Sequence, residues 1–320
     1  MIGSISVSVK NKKNNYTFTL NRNITILCGD SGRGKTTLFD MIYEFNRFGK
    51  NSGASVVCNV PVIALTGDNW KEKLSNISSS VVVIDEDSQF INSHDFAKMV
   101  LKTDNYYLLI TRNYLSQLPY SVEEIYEIKG NKNKKFVRVY SHIDRMYDSP
   151  SKKTLPFVPE VIIVEDSKSG YQLFSKIANE LGIECISSDG KANIYNTIEK
   201  RNNKSALVVA DGAAFGAEIG YVVKKQTYAP SRIAIYLPES FEWILLKSGI
   251  VCDPEEEKIE NPEVDSSRFS SWERYFLDYI VEKTKDKKYL KYNKSTLADY
   301  YLTDASITKI KGVMNQINLE

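Results

Sequence analysis

Ile24-Thr25-Ile26-Leu27-Cys28 runs directly into Gly29-Asp30-Ser31-Gly32-Arg33-Gly34-Lys35-Thr36-Thr37, so an apolar strand-type run is followed by a loop with the spacing G-x-x-x-x-G-K-T. A helix-type pattern continues from Thr37. Glycines let the backbone curl until successive N–H groups face an anion, and the helix behind adds the positive end of its dipole. The segment Gly29, Asp30, Ser31, Gly32, Arg33, Gly34, Lys35, Thr36 and Thr37 therefore predicts a phosphate-binding P-loop for a nucleoside triphosphate. Lys35 is expected to reach the β- and γ-phosphates and Thr36 to hold Mg²⁺. Strand before and helix after disfavour a chance match, and no base-reading motif separates ATP from GTP.

Upstream, residues 4–9 and 16–20 alternate polar and apolar around a Lys-Asn-rich turn, the pattern of a β-hairpin. Downstream, Val81-Val82-Val83-Ile84-Asp85-Glu86 is a β-branched run ending in two acids, the form of a buried parallel strand. Asp85 is expected to hold the water shell of Mg²⁺, and Glu86 to orient or deprotonate an attacking water. A further apolar strand, 106–111, ends in Thr111-Arg112-Asn113 and precedes the pattern of 121–128.

This order resembles the nucleotide-binding domain of ABC-type ATPases, including those of the overcoming-lysogenization-defect (OLD) nucleases. The resemblance implies ATP, Mg²⁺ and hydrolysis. Arg112 stands where that family carries a switch histidine, no Leu-Ser-Gly-Gly-type signature occurs, and the segment before Asp85 is short. Arg112 is a candidate γ-phosphate sensor, since a guanidinium offers phosphate two donors; an ordinary surface arginine is the competing reading.

Four strand-then-helix patterns follow: 160–166 with 168–181, 183–187 with 192–200, 206–210 with 215–225, and 232–237 with 240–247. They predict a parallel sheet, helices on both faces, and a functional edge at the strands' C-terminal ends. The stretch is similar to a Toprim domain, the metal-binding fold of primases, topoisomerases and OLD-type nucleases, through Glu165, Gly190 and Asp211-Gly212-Ala213-Ala214-Phe215-Gly216. The resemblance implies metal at Glu165 and Asp211. Ala213 stands where active members carry a second aspartate, so a degenerate scaffold competes with a nuclease, and Asp166, Glu218, Glu239 or Glu242 are candidates to complete the site.

The fold expected is α/β: an ABC-like P-loop ATPase domain over 1–145, a Toprim-like parallel domain over 160–252, and a helical appendage over 268–320. Pro-bearing stretches at 144–159 and 253–267 read as linkers. The appendage spaces Trp272, Tyr275, Phe276 and Tyr279, then Leu297, Tyr300 and Tyr301, as helices do. Stacking on nucleic acid is one use of such aromatics; packing on the parent domain or an oligomer contact is the favoured one.

With 42 Lys and Arg against 40 Asp and Glu in 320 residues, the net charge of +2 gives no general attraction to nucleic acid. DNA or RNA binding would need a local patch such as the basic run 129–135, which also suits a solvated hairpin tip. No apolar stretch approaches the roughly twenty residues of a membrane span, and no signal peptide is evident, so the expected location is the cytoplasm. Cys28, Cys58, Cys185 and Cys252 lack metal spacing and read as buried thiols. Implied partners are the nucleotide, possible DNA or RNA, and a further copy of the chain or an effector protein, with no membrane.

Overall fold

The computed structural model describes residues 1–130, 139–147, 158–229, 232–251, 254–314 and 317. Most of the basic run 129–135, most of the linker 144–159, and Cys252 lie outside the described residues. The chain divides into two compact units, Met1–Asp148 with Glu263–Ser271, and Ser149–Pro262 with Trp272–Glu320. Both are mixed α/β with parallel strands.

In the first unit β1 (Ile5–Lys10) and β2 (Asn14–Leu20) pair antiparallel, Ile5 opposite Leu20 and Lys10 opposite Asn15. Asn11 makes the turn because its Oδ1 accepts from the backbone N–H of Lys13 at 2.9 Å and of Asn14 at 2.7 Å, an Asx turn. Alternation then buries Ile5, Val7, Val9, Tyr16, Phe18 and Leu20 on one face. β3 (Ile24–Cys28) follows and runs into α1 (Lys35–Phe48), whose Leu38 and Ile42 pack in one cluster with Leu27.

The remaining elements are β4 (Ser55–Val57), β5 (Val62–Ala64), α2 (Trp70–Ser75), β6 (Val81–Ile84), α3 (His94–Val100), β7 (Tyr106–Ile110), β8 (Ile125–Gly130) and β9 (Val139–Arg145). Among the described residues they form one sheet in the order β4-β1-β2-β9-β8-β3-β7-β6-β5. β8, β3, β7, β6 and β5 are mutually parallel. β7 therefore lies between β3 and β6, and the C-terminal ends of all three fall on one sheet edge. Every residue of β6 and β7 is buried, as strands covered on both faces require. Segment 263–271 closes this unit: the Met1 ammonium donates to Ser266 Oγ at 2.8 Å, and Ser266 N–H donates to the Met1 carbonyl at 2.9 Å.

The second unit holds β10 (Val161–Val164), α4 (Ser169–Leu181), β11 (Glu184–Ser187), α5 (Ile194–Lys200), β12 (Ala206–Val209), α6 (Ile219–Tyr228), β13 (Ile233–Tyr236), α7 (Phe241–Lys247), α8 (Glu256–Glu260), α9 (Trp272–Thr284) and α10 (Asp304–Val313). Four strands, all parallel, stand in the order β11-β10-β12-β13. The chain goes to one side of β10 and returns to the other, so a crevice opens beyond the ends of β10 and β12, where open α/β sheets bind ligands.

The structure revises three expectations. The helix expected over 215–225 begins at Ile219, because 211–218 are taken up by turns held by Gly212 N–H to the Pro238 carbonyl at 2.7 Å and Ala213 N–H to the Glu239 carbonyl at 3.1 Å. Cys28, Cys58 and Cys185 are free and half-buried rather than buried. The helical appendage expected over 268–320 divides: 268–271 go with the first unit, while α9 and α10 pack into the second unit's core, the packing on the parent domain that the aromatic spacing favours. Phe276, Ile280, Ile307 and Ile310 share a cluster with Ile162, Leu207, Leu173 and Leu245. The stripe is apolar enough to need a partner, and the sheet face beside α4 and α7 supplies it.

Candidate functional site

The loop 29–36 takes its shape from glycine. Gly29, Gly32 and Gly34 have φ of 108°, 75° and 98°, a region L side chains rarely adopt. Gly34 caps α1 in the left-handed conformation, and a Cβ there would stand 2.6 Å from the Tyr16 hydroxyl, which itself donates to the Gly34 carbonyl at 3.1 Å. Gly34→Ala thus combines strain of about 1–3 kcal/mol with displacement of Tyr16. Its melting temperature and nucleotide affinity are expected to fall together; an unchanged pair of values would refute the strain.

Lys35 is buried, and its Nζ donates to the Gly29 carbonyl at 2.6 Å and the Asp30 carbonyl at 2.8 Å, bridging its own loop. Thr36 and Thr37 are exposed at the start of α1, as are Asp30, Ser31, Gly32 and Arg33. Asp85, at the end of β6, is buried; its Oδ1 accepts from Glu86 N–H at 2.9 Å. Burial pushes its carboxyl above the ordinary range, and the charges of Asp87, Glu86 and Asp40 add to this. Glu86 and Arg112 form a two-bond fork, Nε to Oε2 at 3.0 Å and NH2 to Oε1 at 2.9 Å. Sequence reasoning gave the two separate roles; the structure binds them to each other.

A cavity of about 370 Å³ opens beside the loop, lined by Cys28, Gly29, Ser31, Thr111, Arg112 and Tyr114 among others. Tyr120 and Tyr147 also line it, and the sequence gave no signal for these tyrosines because they come from irregular segments. Burial raises the Cys28 thiol to about 11, which keeps it protonated.

In the second unit Glu165 and Asp211 meet at the crevice. Asp211 N–H donates to Glu165 Oε2 at 3.1 Å, and Asp211 Oδ1 accepts from Phe241 N–H at 2.9 Å. Burial raises Glu165 to about 7 and Asp211 well above the carboxylate range. The pocket here, about 240 Å³, is also lined by Asp166, Asp189, Glu242, Glu273 and Lys294. Asp166 is engaged as a cap, accepting from Gly170 N–H at 2.6 Å and Lys168 N–H at 2.9 Å. Glu218 and Glu239 do not line the pocket.

Glu273 and Lys294 were missed because they belong to the supposed appendage. Lys294 Nζ stands 3.2 Å from Glu273 Oε1 and 3.9 Å from Glu242 Oε1. Burial opposes its charge, but Glu242, Glu273 and Asp211 outweigh this and raise its pKa. Tyr292 donates to Glu242 Oε1 at 2.8 Å, while Glu242 Oε2 is buried with no hydrogen-bond partner among the described residues. Among those residues no group of three or more His, Cys, Asp or Glu is arranged to hold a metal ion, so the metal expected at Glu165 and Asp211 finds no ready-made cage.

The aromatics of 272–301 are divided between core and surface. Phe276 and Tyr301 are fully buried and Leu297 nearly so, whereas Tyr300 and Tyr289 are exposed. Among the described residues no helix is long and apolar enough to cross a membrane. No family model and no curated protein matches the chain.

Proposed function

We propose that the first unit binds and hydrolyses ATP with Mg²⁺, and that its nucleotide state controls a degenerate Toprim-like second unit in a nucleic-acid-related or phage-defence role in the cytoplasm. The observation that carries this reading is the single sheet edge shared by the glycine loop after β3, Asp85 and Glu86 after β6, and Thr111 and Arg112 after β7. The donor set suits Mg²⁺: Thr36 offers an exposed hydroxyl and Asp85 a carboxylate of which one oxygen, Oδ1, accepts from the Glu86 N–H. When bound, Mg²⁺ would neutralise charge developing on the phosphates.

The chain's own residues supply the remaining steps. Lys35 exchanges the carbonyls of Gly29 and Asp30 for phosphate oxygens. The Glu86–Arg112 fork holds the carboxylate in one orientation; as Arg112 turns to the γ-phosphate, Glu86 is released to orient water. Glu86→Gln keeps the shape and removes the base, so ATP turnover is expected to fall about a hundredfold or more with nucleotide affinity nearly unchanged. Turnover equal to wild type in that variant would remove Glu86 from the mechanism.

Ala213 and the pairing of Lys294 with Glu273 favour a second reading, an assembly switch in which ATP changes docking of another copy or an effector protein and the second unit is a non-catalytic scaffold. Mg²⁺- and Mn²⁺-dependent cleavage of labelled DNA and RNA, with and without ATP, decides between them. Cleavage lost in Asp211→Ala establishes an OLD-type nuclease; ATP hydrolysis without cleavage establishes the switch.

A further inference from the structure

The chain's net charge of +2 is not spread evenly. Residues 282–294, from the last turn of α9 into the connection to α10, carry six lysines against two acids, a formal +4 within thirteen residues. Three of these lysines are neutralised locally: Lys283 by Glu255, Lys285 by Glu282, and Lys294 by Glu273 in the crevice. Lys287, Lys288 and Lys291 have no acid partner among the described residues. The connection that carries them is held in one shape. Lys287 N–H donates to the Thr284 carbonyl at 3.0 Å, Leu290 N–H to the Lys287 carbonyl at 2.9 Å, and Tyr292 N–H to Thr284 Oγ1 at 2.9 Å. Leu290 and Tyr292 are buried, and the Tyr301 hydroxyl donates to the Leu290 carbonyl at 2.7 Å. With those two side chains turned into the core, Lys288, Tyr289 and Lys291 are left facing solvent. Tyr289 is 62% exposed, and the exposed ring of Tyr300 meets it edge-on with centroids 5.6 Å apart.

We propose that Lys287, Lys288, Lys291 and Tyr289 form a binding surface for single-stranded nucleic acid, with Tyr300 holding the Tyr289 ring in place. Two kinds of group meet here, and one class of partner uses both. Lysines without acid partners attract a chain of phosphates and release its counterions on contact. A tyrosine ring open to water offers a face on which a base can stack, and stacking tolerates any sequence because every base has such a face. In a duplex the base faces are already covered by their neighbours, so the ring selects the single strand. The inference rests on the nucleic-acid role proposed above and gives it a place in a segment that the Toprim-like resemblance does not cover; it needs neither ATP nor a metal ion. Lys294, which lines the crevice pocket, follows Lys291 by three residues, at most about 11 Å of chain, so a strand held here lies beside the edge where β10 and β12 end.

The test is fluorescence anisotropy of labelled twenty-nucleotide oligo-dT and oligo-U, and of a duplex of the same length, titrated with the full chain without ATP or divalent ions over a series of salt concentrations. Wild type is expected to bind the single strands about tenfold or more tighter than the duplex. The triple variant Lys287→Gln, Lys288→Gln, Lys291→Gln is expected to weaken single-strand binding about tenfold or more and to reduce the slope of log K against log salt by about 2, the share of three phosphate contacts. Tyr289→Ala is expected to weaken it about fivefold or more, whereas Tyr289→Phe keeps the ring and stays near wild type. The control removes the same charge elsewhere, from the exposed Lys10, Lys12 and Lys13 around the β1–β2 turn, each changed to Gln. Thermal melts of every variant separate lost binding from lost fold. If the control triple weakens binding as much as the 287–291 triple, or if Tyr289→Ala binds like wild type, the surface is overturned while a nucleic-acid role elsewhere on the chain survives. If wild type binds neither the oligonucleotides nor the duplex, the surface and that role fall together. Binding to phosphatidylserine vesicles that is lost in the 287–291 triple, with no oligonucleotide binding, overturns the proposal in favour of a lipid headgroup surface.

Discussion

Lys35→Ala is expected to abolish measurable ATP binding, with a loss of about 3 kcal/mol or more, over a hundredfold in Kd. Hydrogen bonds from a charged donor contribute about 1.5–3 kcal/mol each, and the proposed role gives Lys35 more than one phosphate oxygen. In the resting loop the same Nζ serves the Gly29 and Asp30 carbonyls. Gly29 is only half-buried and Asp30 is exposed, so water can replace the ammonium there, and the fold should lose little. A fluorescent-nucleotide titration beside a thermal melt separates the two effects. Wild-type affinity in this variant would remove the nucleotide from the first unit altogether.

Phe276→Ala is expected to destabilise the second unit by about 3–5 kcal/mol, the cost of emptying a buried aromatic site. Phe276 is fully buried in α9, in one cluster with Ile244, Ile280 and Leu173. If 268–320 were an appendage, the same change would loosen only that segment. Two tryptophans report on this unit, Trp243 and Trp272, while Trp70 belongs to the other, so a chemical denaturation read by fluorescence after Trp70→Phe follows the relevant transition. Tyr289→Ala, at a side chain 62% exposed, is the control and should stay within about 0.5 kcal/mol of wild type. Equal midpoints for the two variants would contradict the shared core.

The long buried strands were legible because their composition and their place next to motifs repeat the same message. β6 is a continuous β-branched run and β7 a continuous aromatic and aliphatic one, and β10 to β13 each precede an amphipathic stretch. β4 and β5 span three residues each, too few for a period of two to register. The start of α6 was misplaced because Phe215 and Ala217 are as apolar as helix residues, yet they are buried in turns that carry Asp211 past the end of β12. Of the candidate sites, the loop 29–36 and the acids after β6 were readable, since their spacing lies within one segment. The Glu86–Arg112 fork and the meeting of Glu273 and Lys294 with Asp211 were not, because such contacts join segments far apart in sequence and local pattern carries no record of them.

The chain passes between the two units at 148, again at 262, and once more at 271. Neither unit is therefore a single continuous piece of the gene. A recombination event with one breakpoint near 150 would transplant the first unit without residues 263–271, and so without the Ser266 backbone that meets Met1. Exchange of either unit between lineages needs several coordinated breakpoints, so the two are expected to be inherited as a block, their histories tied more closely than those of proteins built from end-to-end cassettes.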